Sequence, residues 1–152
     1  MTSLTRTHIM VHHSLTPDGA TVSWAAIEKY HRETQGWRDI GYHAGVELVT
    51  GNPELAGYGY QALIGRAPYQ PASACPQGDM NRVALHVCCV GNFDEVGPPD
   101  GLIRVLIRRV LLPWMTEYGI PPERIVAHHD YNAAKTCPGK RFDLEILRRM
   151  VR

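Results

Sequence analysis

The stretch that most constrains this chain is residues 83–91, VALHVCCVG. A strand with one solvated face alternates apolar and polar residues, whereas this run is almost continuously apolar. It reads as a central strand of a sheet covered on both faces. Such a sheet needs amphipathic helices to cover it, and the sequence supplies them. Residues 99–118 place Leu102, Ile103, Leu106, Ile107, Val110 and Trp114 on one helical stripe, with Pro113 expected to kink the helix or end its regular part.

The rest of the chain alternates in the same way. Residues 7–12 read as a buried strand running into His12. Residues 23–33 read as a helix with Ser23 as N-cap and Trp24, Ile27 and His31 on one face. Strands follow at 41–49 and 60–65, separated by a Gly/Pro/Asn turn around 51–53. A short strand at 124–128 and a terminal helix at 143–151 complete the order. Strands interleaved with helices predict an α/β domain with helices packed on a mixed sheet. At 152 residues, with no repeat or linker, the whole chain 1–152 is expected to be a single domain.

Sixteen Lys and Arg against fifteen Asp and Glu leave a formal charge of +1, which gives no electrostatic reason to expect a nucleic-acid partner. Arg104, Arg108 and Arg109 interrupt the best apolar run, so no membrane span is expected. The N-terminal stretch lacks the apolar core of a signal peptide, which predicts synthesis in the cytoplasm with reduced thiols. Cys88 and Cys89 are adjacent in a strand and point to opposite faces. Together with Cys75 they read as small packing residues.

Cys137 differs because of its neighbours, in VAHHDYNAAKTCPG (126–139). A second histidine pair, His12 and His13, ends the first strand, while His128 and His129 end another. Strand ends are where loops gather into sites. Two imidazoles and a thiolate make three N/S ligands, the number a catalytic zinc uses while keeping a fourth position for water. Strand alternation lets only one histidine of each pair face a metal, and parity alone does not say which. The other packs, supports a ligand or faces solvent. Two other chemistries compete: a thiol hydrolase built on Cys137 and a histidine, and a copper site, which wants an axial Met absent from 138–149.

The set IMVHHS (9–14), GWRDIGYH (36–43), GR (65–66), VGNFD (90–94) and AHHD…KTCPG (127–139) occurs in order along nearly the whole chain. In this the chain resembles the zinc-dependent N-acetylmuramoyl-L-alanine amidases, which include amidase-type phage lysozymes and the peptidoglycan recognition proteins. The resemblance implies their mixed α/β fold, a Zn2+ cofactor held by His12, His128 and Cys137, and peptidoglycan as substrate. It selects the first histidine of each pair, and it implies catalytic roles for Tyr42 and Lys135 beside the metal. His43, opposite Tyr42 in a regular strand, is expected to be structural, as is Asp130.

Two departures accompany the resemblance. His128 and Cys137 are nine residues apart, one more than is commonest in such amidases. Ala74 or Cys75 stands where many relatives carry a groove-lining histidine before the central strand. The expected activity is hydrolysis of the amide between N-acetylmuramic acid and L-alanine, by a monomer acting as a phage or prophage endolysin that reaches the wall after membrane permeabilisation. The alternatives are a recycling amidase for soluble muropeptides and a non-catalytic recognition module, the latter disfavoured because Cys137 is present.

Overall fold

The computed structural model describes residues 4–16, 24–49 and 59–152. The Ser23 cap and the turn at 51–53 lie outside the described residues. Five strands form one mixed sheet: β1 His8–His13, β2 Ala44–Leu48, β3 Tyr60–Ile64, β4 Ala84–Cys89 and β5 Ile125–Ala127. Their order is β3-β2-β4-β1-β5. β1 runs parallel to β4 and β5, β2 parallel to β4, and β3 antiparallel to β2 at the edge. The expected mixed sheet is present, and VALHVCCVG supplies one of its central strands with every residue of β4 buried.

Register divides the side chains into two sets. Ile9 pairs with Leu85, and Val11 with Val87. Ala44 also pairs with Val87. These residues join Cys89, Leu102, Leu106, Val110, Leu111 and Leu147 in the main core under the two C-terminal helices. On the other face Met10 pairs with His86 and His12 with Cys88, with Gly45 beside Cys88. There Trp24, Ile40 and Cys88 pack together, with Tyr42 against them. A Cβ on Gly45 would collide with the Trp24 ring, so the bare backbone of β2 is what lets the indole lie flat on the sheet. Cys88 and Cys89 fall in different clusters as alternation requires, and all four cysteines are buried free thiols.

Helix α1 covers Trp24–Lys29 and widens into a π-turn at Tyr30–Thr34. A single turn, α2, occupies Met80–Val83 just before β4. The long helix α3 covers 100–118 in three parts: α-helical Asp100–Val105, a π-segment Leu106–Leu111, and α-helical Leu112–Tyr118. The helix does not end at Pro113; regular α-geometry stops at Val105 and returns at Leu112. The π-segment lies immediately upstream, and α-geometry resumes with the proline in the first turn, where no N–H is needed. Gly119 closes α3 at φ 65°. Helix α4, Leu144–Val151, starts at Asp143, whose carboxylate accepts from the Glu145 and Ile146 N–H groups. No helix among the described residues is long and apolar enough to cross a membrane.

Two boundaries differ from expectation where it matters. Residues 41–43 form bends ahead of β2, because Gly41 turns aside to donate its N–H to His31 Nδ1 (2.9 Å) and accept from the Ser73 N–H (3.0 Å). β5 ends at Ala127, and His128–Asp130 form a 3-10 turn. His128 is therefore placed by a turn rather than by strand alternation.

Candidate metal centre

His12 ends β1 on the polar-bearing face of the sheet and is almost wholly buried. His128 opens the turn after the neighbouring strand, so the parallel pairing of β1 and β5 brings the two imidazoles together, with ring centroids 4.8 Å apart. Cys137 arrives on the loop that follows. Its Sγ lies 3.6 Å from His12 Nδ1, and the candidate ligand atoms of His12, His128 and Cys137 all fall within 4.8 Å of one another. The edges of a tetrahedron with Zn–N and Zn–S bonds of 2.0–2.3 Å are roughly 3.3–3.8 Å. The His12–Cys137 pair already matches such an edge, and the buried set could hold a zinc ion once its widest separation closes by about 1 Å. Among the described residues it is the only group of three or more such side chains so placed.

The Cys137 loop is clipped to the segment after β4. Asp94 accepts from the Thr136 hydroxyl (2.8 Å) and from the Lys140 N–H (2.9 Å), and the Arg141 N–H donates to Phe93 O (2.8 Å). Gly139, at φ 128°, lies so close to the Phe93 backbone that any Cβ would overlap it. The extra residue between His128 and Cys137 is absorbed by turns in which the Asn132 N–H donates to His128 O and the Lys135 N–H to Asn132 O, both at 3.0 Å.

Electrostatics sets the three candidate ligands apart. Burial, with the neighbouring His86 and His128, holds His12 well below the usual histidine value. Burial and the Lys135 charge bring His128 to about 4, so both imidazoles are neutral and have a lone pair to offer. Burial pushes the Cys137 thiol up to about 12 against the His13 backbone N–H (3.3 Å) and Lys135, which favour the thiolate. The thiol therefore keeps its proton until a metal displaces it.

Tyr42 stands beside this cluster, its ring centroid 5.1 Å from that of His12. Its hydroxyl is held well above the ordinary phenol value by burial and by the Cys88 and Cys137 sulfurs. Lys135 is exposed on the loop, near enough for its charge to act on both His128 and Cys137. Tyr42 also lines a groove of about 340 Å³ with Ser14, Thr16, Ile27, Tyr30 and His31. A larger depression of about 440 Å³ between Pro98 and Met150 contains none of these residues.

The second histidines part company. His13 lies on the opposite face, where its Nδ1 accepts from the Phe93 N–H (3.1 Å) and its ring stacks on Phe93. His129 is exposed beside Asp130, whose other oxygen accepts from the Ala127 N–H (2.9 Å), a structural role as expected. His43 is also structural: its Nδ1 accepts from the His86 N–H (3.0 Å) and its Nε2 donates to Gln70 O (2.8 Å). Cys75 packs with Met10, Met80 and Ala84. Sequence reasoning missed Arg6, buried and donating to the carbonyls of Pro68, Gln70, Arg82 and Ala84. It also missed His86. Its only signal was a lone imidazole within an apolar run.

Fold and cluster together define a mixed-sheet α/β domain organised around a candidate metal centre. The sequence profile of the N-acetylmuramoyl-L-alanine amidases matches residues 3–140, and the chain belongs to that family. Peptidoglycan amidase activity is the function this membership assigns. No match was found among curated protein sequences. Among solved structures, the chain is similar to the endolysin N-acetylmuramoyl-L-alanine amidase LysCS of Clostridium intestinale, with a TM-score of 0.78 at 23% identity over 97% of this chain and 84% of that one. It is also similar to Drosophila PGRP-LB, solved as a mutant in complex with tracheal cytotoxin, with a TM-score of 0.71 at 19% identity over 94% and 80%. Drosophila peptidoglycan recognition protein SD gives 0.69 at 20% identity over 96% and 81%. At these identities the likeness is one of fold.

Proposed function

We propose that the chain is a zinc-dependent endolysin that hydrolyses the amide between N-acetylmuramic acid and L-alanine, using His12, His128 and Cys137 as ligands and Tyr42 and Lys135 as catalytic groups. The observation that carries this reading is the buried His12–His128–Cys137 cluster with Tyr42 against it, in a chain of the amidase family. Zinc held there supplies a Lewis acid and brings the pKa of a bound water to about 7. The protein supplies the rest. His12 and His128 would hold the ion through neutral imidazoles and Cys137 through its thiolate.

Tyr42, kept protonated by its surroundings, is suited to donate to the departing L-alanine nitrogen rather than to act as a base. The Lys135 ammonium meets the negative charge that develops on the carbonyl oxygen. The groove that Tyr42 and His31 line is the candidate place for the substrate. The endolysin setting is supported by the likeness to the clostridial endolysin amidase LysCS. A monomer that needs no membrane or nucleic-acid partner is the simplest form of this reading.

Two measurements test it. Elemental analysis of purified protein is expected to find one zinc per chain, lost in Cys137→Ser together with activity. Digestion of sacculi is expected to release stem peptides with new L-alanine amino termini while glycan strands stay long. New reducing sugar ends without free L-alanine would overturn the assignment. Full activity on soluble muropeptides with none on sacculi would favour a recycling enzyme instead.

A further inference from the structure

The cluster rests on a second, fully buried histidine that the catalytic reading does not use. His86, on β4, has no solvent exposure, and its ring stacks against His12 at a centroid distance of 5.1 Å. Its two nitrogens have different partners. Nε2 lies 2.8 Å from Met80 O, and Nδ1 lies 2.8 Å from His12 Nε2. A carbonyl oxygen can only accept, so His86 Nε2 must carry a hydrogen. Among the described residues no carboxylate contacts His86. A ring with no solvent and no counter-ion, close to the Arg6 guanidinium, is neutral even though the Met80 carbonyl accepts its N–H.

A neutral imidazole has one N–H, already given to Met80, so His86 Nδ1 is bare and must accept. His12 Nε2 is then the donor. The same count applied to neutral His12 leaves its Nδ1 bare, and Nδ1 is the atom that faces Cys137 Sγ at 3.6 Å. We infer that His86 is a positioning residue that, through the chain Met80 O, His86, His12, sets the tautomer of His12 and so makes Nδ1 the metal-binding atom.

One backbone carbonyl thus decides which nitrogen of a residue two hydrogen bonds away is free. The chain is anchored further back. His86 donates its backbone N–H to His43 Nδ1, His43 Nε2 donates to Gln70 O, and Arg6 ties the segments around Gln70 and Ala84 together. Metal-binding histidines usually donate their second nitrogen to an oxygen acceptor. Here another histidine takes that place, and it works only in one polarity.

This inference rests on reading the cluster as a metal centre, and its tests separate the two. Long-range 15N–1H correlation spectra of the metal-free wild-type protein are expected to show His12 with its proton on Nε2 and His86 likewise. A His12 proton on Nδ1 would overturn the inference without any variant. Zinc affinity, read by competition with a chelating dye, is expected to fall about 10–100-fold in His86→Leu. His86→Asn, whose amide oxygen occupies the Nδ1 position, should recover most of that loss. His86→Gln, which reaches the Nε2 position instead, should not. Wild-type affinity in His86→Leu, or equal behaviour of the Asn and Gln variants, would overturn it. A wild-type protein that takes up no zinc would overturn the metal-centre reading itself, whatever the tautomer.

Discussion

At the scale of single residues, His12, His86, His43 and His128 form one connected set of imidazoles, all held neutral chiefly by burial. Burial brings His43 to about 4 and His86 to about 3, from an ordinary value of 6.5. The unfolded chain takes up protons near 6.5, whereas the folded one resists until those lower values. The stabilisation is therefore full above pH 6.5 and is lost as pH falls through 4. Denaturation of the metal-free protein should show a stability that drops by several kcal/mol from pH 7 to pH 4. A flat profile would mean that these histidines protonate in place. Catalysis belongs to this scale too. Tyr42→Phe and Lys135→Ala are each expected to keep zinc and fold while losing about 10²–10⁴ in turnover, the usual worth of a proton donor or an oxyanion partner. Steady-state kinetics on metal-loaded protein measures this. The residues that could be picked out from sequence were those whose type is chemically rare in context: paired histidines at strand ends and a cysteine before Pro-Gly. His86 was hidden because a buried strand histidine looks like packing until its two partners are seen. Arg6 was hidden because its partners are carbonyls, which leave no trace in the sequence.

At the scale of elements, precision comes from loops clipped to rigid neighbours. The Cys137 loop has no regular structure, yet Asp94 and the Phe93 backbone hold it on both sides of the sulfur. Gly139→Ala should push the loop off Phe93, through both the close approach and the positive φ. The expected result is weaker zinc binding with the sheet intact, seen as a lower affinity at unchanged far-ultraviolet circular dichroism. Asp94→Ala should do the same more mildly, since Thr136 and Lys140 lose their shared acceptor. The order of elements could be read from hydrophobic period, and the long helix survived its proline. The boundaries could not. Tyr42 sits in a bend because Gly41 finds its partners outside the strands, and His128 sits in a 3-10 turn because Asp130 folds back to accept the Ala127 N–H at the end of β5; pattern does not record partners.

At the scale of the whole molecule, the three candidate ligands are far apart in sequence, and β1 lies between β4 and β5 to bring them together. An ion held there fastens the whole stretch from His12 to Cys137 into one closed loop. Binding to the folded state alone stabilises it by about 2.7 kcal/mol when free zinc is about a hundred times its dissociation constant. For a chain of this size that is roughly 5–10 °C in Tm. Calorimetry with and without a chelator is expected to show such a drop, reversed by zinc, and no drop in Cys137→Ser.

The position of β1 also bears on synthesis. It precedes β4 and β5 along the chain, but its slot exists only once they are present, and the last candidate ligand is residue 137. While the ribosome is still extending the chain, the amino-terminal strand waits without neighbours and the cluster cannot close. A polypeptide cut short anywhere before Cys137 carries a groove without a complete centre. Wall-cutting capacity therefore appears in one step, once synthesis has passed Cys137, rather than growing with chain length.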